Sequence, residues 1–130
     1  MKNILLDTNA FSALMVGKTQ ILDVITDSEI IYLSIFVLAE LQYGFKGGKK
    51  ESENLKMLKA FTSKSIVKIL NATQETAEIF AFVKNHLKLK GKHIPINDVW
   101  IASHAIESGS VLITYDAHFD QIENLRVYAP

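Results

Sequence analysis

Apolar positions along the chain follow two different periods. Four short runs are continuously apolar or rich in β-branched residues: Asn3–Leu6, Glu29–Leu33, Ser65–Leu70 and Ser110–Thr114, with a short fifth at Leu125–Tyr128. Runs of this length and composition predict buried strands. The segments between them repeat at helical spacing. Ala10–Val16 and Thr19–Thr26 form two such stretches, separated by Gly17. Ser34 is placed to cap a helix from Ile35 to about Phe45, ended by Gly47-Gly48. Lys50–Ser63 carries Leu55, Leu58 and Phe61 on one face. Thr73 heads a helix to about Leu89, with Ala77, Phe80, Ala81 and Val83 inward and the lysines outward. A last helix starts at Asn97 or Asp98, just after Pro95, and stops at Gly109. The D-T-N at Asp7–Asn9 reads as a turn. Strands alternating with helices predict an α/β domain with a mostly parallel sheet of about five strands. No repeat or linker divides the chain, so residues 1–130 read as one domain.

Composition narrows the class. Hydrophobic residues make up 48% and charged residues 22% of the 130, which excludes a disordered or fibrous chain. The absence of cysteine removes disulfides, thiolate metal sites and cysteine nucleophiles, and fits a reducing cytoplasm. Ile4-Leu5-Leu6 is too short for the apolar region of a signal peptide, and no run approaches the ~20 apolar residues of a membrane span. The expectation is a soluble cytoplasmic protein with no membrane partner.

The formal net charge is zero, but it is unevenly spread. Between Lys46 and Lys92 there are 11 lysines against 4 glutamates, and the flanking segments are correspondingly acidic. This reads either as solvated helix faces or as a basic rim beside an acidic centre, where a polyanion is held next to metal-binding carboxylates. Arg126 is the sole arginine, so bidentate recognition of phosphate or guanine is poorly provided for.

Two strands release a carboxylate at their carboxyl ends: Ile4-Leu5-Leu6-Asp7 and Val111-Leu112-Ile113-Thr114-Tyr115-Asp116. In open parallel sheets that edge is where ligands bind, although turn or cap chemistry accounts for either Asp taken alone. Glu40 sits in the apolar segment Phe36–Phe45, where a charge must be paired, coordinate something, face a water-filled cleft or join a narrow polar stripe with Gln42. Asp98 opens a helix of mostly buried residue types, where it also suits the helix dipole. Asp7, Glu40, Asp98 and Asp116 could therefore converge on one cleft. Four carboxylates repel and raise one another's pKa unless a cation intervenes, and an all-oxygen donor set favours Mg²⁺ or Mn²⁺ over Zn²⁺. His86, His93, His104 and His118 form no H-x-x-x-H pair, so zinc hydrolysis is not expected. No G-x-S-x-G, P-loop or G-x-G-x-x-G sequence occurs.

Taken in order, L-D-T-N at Leu6–Asn9, A-E-L at Ala39–Leu41, N-D-V-W-I-A at Asn97–Ala102 and L-I-T-Y-D-A-H-F at Leu112–Phe119 resemble the PIN domain, most closely the small VapC-like toxins of toxin–antitoxin pairs. The resemblance spans essentially the whole chain. It implies a three-layer α/β/α fold and a metal-dependent endoribonuclease acting on an RNA substrate. By position, Asp7, Glu40, Asp98 and Asp116 match the family's catalytic acids, with Asp7 and Asp98 as principal metal ligands for Mg²⁺ or Mn²⁺. Asn9 and Thr114 match its supporting polar positions. Asp120, close to Asp116, is the alternative for the last acid. The family further implies a homodimer and a small antitoxin partner. A receiver domain and a haloacid-dehalogenase-type phosphatase fit less well, because Asp7 is followed by Thr8-Asn9 rather than by a second acid and no Asp lies between Asp27 and Asp98. The remaining alternative is a catalytically silent PIN-like module that binds RNA or protein.

Overall fold

The computed structural model describes residues 1–130. In chain order the elements are β1 (Asn3–Leu6), α1 (Thr8–Met15), α2 (Thr19–Asp27), β2 (Ile30–Ser34), α3 (Ile35–Phe45), α4 (Glu51–Thr62), β3 (Val67–Leu70), α5 (Gln74–Leu89), α6 (Ile96–Ser108), β4 (Val111–Ile113), a 3₁₀ turn (Ala117–Gln121) and β5 (Val127–Tyr128). All five strands are parallel, in the order β3-β2-β1-β4-β5. Ile4, Leu5 and Leu6 are successive residues that point to opposite faces of the sheet, and all three are fully buried. Both faces of β1 are therefore covered, as a layered α/β/α arrangement requires. Three aromatic contacts tie the helices together: Phe11 of α1 meets Phe61 of α4 edge-on at 5.3 Å, and Trp100 of α6 stacks against Phe36 of α3 and Phe80 of α5. No helix is long and apolar enough to cross a membrane.

Local chemistry sets most boundaries. Ser34 ends β2 and caps α3, its hydroxyl accepting from the Phe36 amide at 3.1 Å. Thr73 and Thr76 form a reciprocal capping box at the start of α5. Gly109 ends α6 in the left-handed conformation, at φ 66°, which a residue with a Cβ adopts only at a cost.

The structure departs from the sequence expectations in three places. The chain enters α1 at once after β1, with no intervening turn, because Asp7 closes the strand and caps the helix with the same side chain. Helix α6 begins at Ile96, directly behind Pro95. On α5 the inward stripe is Thr76, Val83 and Leu87, with Ile79 and Phe80 half-buried, while Ala77 and Ala81 are exposed. The Thr76 hydroxyl donates to Glu107 of α6 at 2.6 Å, which turns a polar residue inward and rotates the alanines out.

The strand order places the site. From β1 the chain proceeds outward through β2 and β3, then crosses back to lay β4 on the other side of β1. The crossings diverge at the carboxyl ends of β1 and β4, where Leu6 pairs with Ile113 and the next amide, that of Asp7, donates to the Ile113 carbonyl at 3.0 Å. A crevice opens at such a reversal point because the loops leave in opposite directions.

Candidate active site

Asp7 and Thr114, the first residues beyond β1 and β4, face each other across the reversal point. The Thr114 hydroxyl donates to Asp7 Oδ2 at 2.7 Å, and the Thr8 amide donates to Oδ1 at 2.8 Å. The Asp116 amide in turn donates to Thr114 Oγ1 at 3.0 Å, and the Tyr115 amide donates to Asn9 Oδ1 at 3.2 Å. Asn9 and Thr114 thus stitch the end of β1 to the end of β4 and fix the loop that carries Asp116.

Glu40 comes from α3 and Asp98 from the first turn of α6. Asn97 Nδ2 donates to Glu40 Oε1 at 2.6 Å, and His118 Nε2 lies 2.7 Å from Asp98 Oδ2. All four acids line one open cleft of about 500 Å³, together with Thr8, Asn9, Ser12, Pro95 and Asn97. The lining is wholly polar apart from Pro95 and contains no lysine, arginine or histidine. Asp120 does not line the cleft. It lies exposed on the 3₁₀ turn, whereas Asp116 lines the cleft.

Electrostatics follow from this placement. Asp7 is only 4% exposed. Burial, with the neighbouring charges of Asp98 and Glu40 adding to it, pushes its carboxyl up to about 6 against the opposing hydrogen bonds from Thr114 and Thr8. Burial also raises Asp98, opposed by the hydrogen bond and charge of His118. The cleft therefore concentrates negative charge that no basic side chain on its lining neutralises. Thr8 Oγ1, buried and without a hydrogen-bond partner, belongs to the same lining. An oxygen-rich, uncompensated donor set of this kind fits a hard divalent cation, with Asp7 and Asp98 among the groups that would hold it.

Two contributors are not apparent from sequence reasoning. In the sequence Asn97 marks a helix start and opens N-D-V-W-I-A; in the structure its amide anchors Glu40, 57 positions away. His118 has no second histidine four residues away and so shows no zinc-binding pattern. It nevertheless joins Asp98 and Asp116 in a group whose donor atoms all lie within 4.8 Å of one another. The only local signal was its place two residues after Asp116. The expected basic rim is not seen at the cleft itself: none of the lysines between Lys46 and Lys92 lines it. Lys46 pairs with Glu51 and Lys90 with Glu123.

Residues 4–125 match the PIN domain family model, and the chain belongs to the PIN domain family. Among curated relatives, Ribonuclease VapC2 of Rickettsia felis is 34% identical over 105 residues, covering 80% of this chain and 77% of the relative. Ribonuclease VapC1 of Haemophilus influenzae is 28% identical over 127 residues, covering 94% and 93%. The crystal structure of Rickettsia felis VapBC2 bound to a DNA fragment from its promoter contains a chain that superposes with a TM-score of 0.84, at 30% identity, covering 97% of both chains.

Proposed function

We propose that the protein is an endoribonuclease dependent on Mg²⁺ or Mn²⁺, the toxin of a VapBC-type pair whose partner is a separate small antitoxin. The observation that carries this reading is the convergence of Asp7, Glu40, Asp98 and Asp116 on one cleft at the reversal point of the sheet, with no cationic side chain on its lining. Its likeness to ribonucleases of the same family supports the choice of RNA as substrate. The whole chain serves as one catalytic domain, in keeping with a single apolar cluster of 28 buried residues that draws on β1, β2, β3 and β4 and on all six helices.

The four acids divide the work. Asp7 and Asp98 would hold the cation, and Asp116 offers a third carboxylate from the loop after β4. A divalent ion held there would supply acidification of water and neutralisation of charge on the phosphate. Glu40, with Oε1 fixed by Asn97, keeps its second oxygen available to orient the attacking water and accept its proton. Asn9 and Thr114 keep the two strand ends in register so that the acids stay converged.

Incubation with a 5′-labelled single-stranded RNA tests this reading. Internal cleavage is expected with 5 mM Mg²⁺ or Mn²⁺, on the order of metal needed to fill a weak carboxylate site. It should cease in EDTA and return on addition of excess metal. Binding of the RNA without any cleavage in either metal would instead identify a silent RNA-binding module.

A further inference from the structure

Three of the four acids in the cleft are each held by a donor from another element or loop. Thr114 holds Asp7, Asn97 holds Glu40, and the third donor is His118, whose Nε2 lies 2.7 Å from Asp98 Oδ2. We propose that His118 is a positioning residue: its imidazole fixes Asp98 for divalent-cation binding. The proposal rests on the metal-binding reading of the cleft.

Geometry favours holding over direct ligation. His118 is absent from the cleft lining, to which both Asp98 and Asp116 belong. Ionised Asp98 can only accept, which places the shared proton on Nε2 and leaves that nitrogen no lone pair for a metal. Nδ1 lies 3.5 Å from Asp116 Oδ1, beyond ordinary hydrogen-bond length, so the ring grips Asp98 alone. The ring is itself backed by the next residue: it packs against Phe119, which is fully buried, at a centroid distance of 4.9 Å. A ring fixed in this way takes rotational freedom from Asp98 and keeps Oδ1 clear of the bond. Outer partners of metal-binding carboxylates typically govern affinity by 10–100-fold.

Mn²⁺ affinity, read from the free-ion electron paramagnetic resonance signal during titration of the full chain, tests the proposal without recourse to activity. His118→Ala should weaken binding about 10–100-fold. His118→Gln, whose amide nitrogen can occupy the position of Nε2, should restore affinity to within about 3-fold of wild type. His118→Asn, too short to reach Asp98, should behave like the alanine variant, and it carries the test if the alanine variant does not fold. Pulsed spectra of wild-type protein with Mn²⁺ should show no directly coordinated nitrogen. Unchanged affinity in both His118→Ala and His118→Asn would reduce the ring to a packing role and overturn the proposal. A directly bound nitrogen, lost in His118→Gln, would overturn it in favour of ligation. Asp98→Asn separates these outcomes from failure of the site itself. If wild type binds no Mn²⁺, or binds it equally well after Asp98→Asn, the metal-binding reading of the cleft falls and this proposal falls with it.

Discussion

Asp7 carries opposing demands in a single carboxylate. It caps α1, joins β1 to β4 through Thr114, and contributes charge to the cleft, yet it is almost wholly buried. Its carboxyl titrates near 6 instead of 3.8 in the metal-free protein. The folded state therefore holds the proton more tightly than the unfolded chain. The stability gained from that proton is fully present below about pH 3.8 and is lost as pH rises through 6. At 1.36 kcal/mol per pKa unit the loss is on the order of 3 kcal/mol at neutral pH. Asp7→Asn removes this penalty but weakens the bond from Thr114, by about 1 kcal/mol. The metal-free variant should melt several degrees above wild type at pH 7.5, and the difference should vanish or reverse near pH 4. Mg²⁺ at 10 mM, with a dissociation constant of roughly 1 mM, should stabilise wild type by about 1.4 kcal/mol and leave the variant nearly unmoved. A variant that melts lower without metal and keeps the full Mg²⁺ shift would make Asp7 a structural cap alone.

A second buried polar link joins three elements. His104 of α6 is fully buried, with Nδ1 2.7 Å from Ser34 Oγ and Nε2 3.2 Å from the Asn71 carbonyl. A carbonyl only accepts, so Nε2 carries the proton and Nδ1 accepts from the Ser34 hydroxyl, which in turn accepts from the Phe36 amide. Neutral His104 thus secures the cap of the helix that presents Glu40. Burial lowers its pKa, so its contribution is fully present above the unfolded value of about 6.5 and is lost as pH falls below it. Asp7 titrates with the opposite sign over part of the same range, so the effect is best read in the Asp7→Asn background. There the melting temperature should fall between pH 7.5 and 5.5, and His104→Gln should flatten the slope. An equal slope in both would assign the acid sensitivity elsewhere.

Sequence reasoning succeeds where one element contains the whole cause. The apolar runs of β1 and β4, the caps at Ser34 and Thr73 and the stop at Gly109 all act within a few residues. The four acids are legible as candidates from local context, since Asp7 and Asp116 follow strand ends, Glu40 interrupts an apolar segment and Asp98 opens a helix of mostly buried residue types. What escaped depends on distant partners. Thr76 points inward on α5 because its hydroxyl donates a hydrogen bond to Glu107 across the helix pair, and no pattern within α5 reports that. Asn97 and His118 have ordinary local settings, and their roles arise only when α3, α6 and the loop after β4 meet.

Across the whole molecule, charge is segregated between an acidic cleft and a basic surface that does not line it. If the lysines from Lys46 to Lys92 hold flanking RNA, they act at a distance from the reacting phosphate and through the backbone. RNA affinity should then fall with salt at a log–log slope near −0.7 per phosphate contact. Replacing Lys49 and Lys50 together with Ala should make the slope shallower by about 1.4 and weaken unrelated sequences alike. An unchanged slope would assign these lysines to solvated surface.

Most directly, the cleft's catalytic role is decided by Asp98→Asn, which keeps the shape of the side chain and its place in α6 while removing its charge. Cleavage of a labelled RNA under saturating Mg²⁺ or Mn²⁺, by wild type and by this variant at matched melting temperatures, should differ at least 10²-fold in turnover, the scale of losing one charge-stabilising group at a transition state. Turnover within a few-fold of wild type in the folded variant, or cleavage by wild type that persists in EDTA, would contradict a metal-dependent nuclease built on Asp7, Glu40, Asp98 and Asp116.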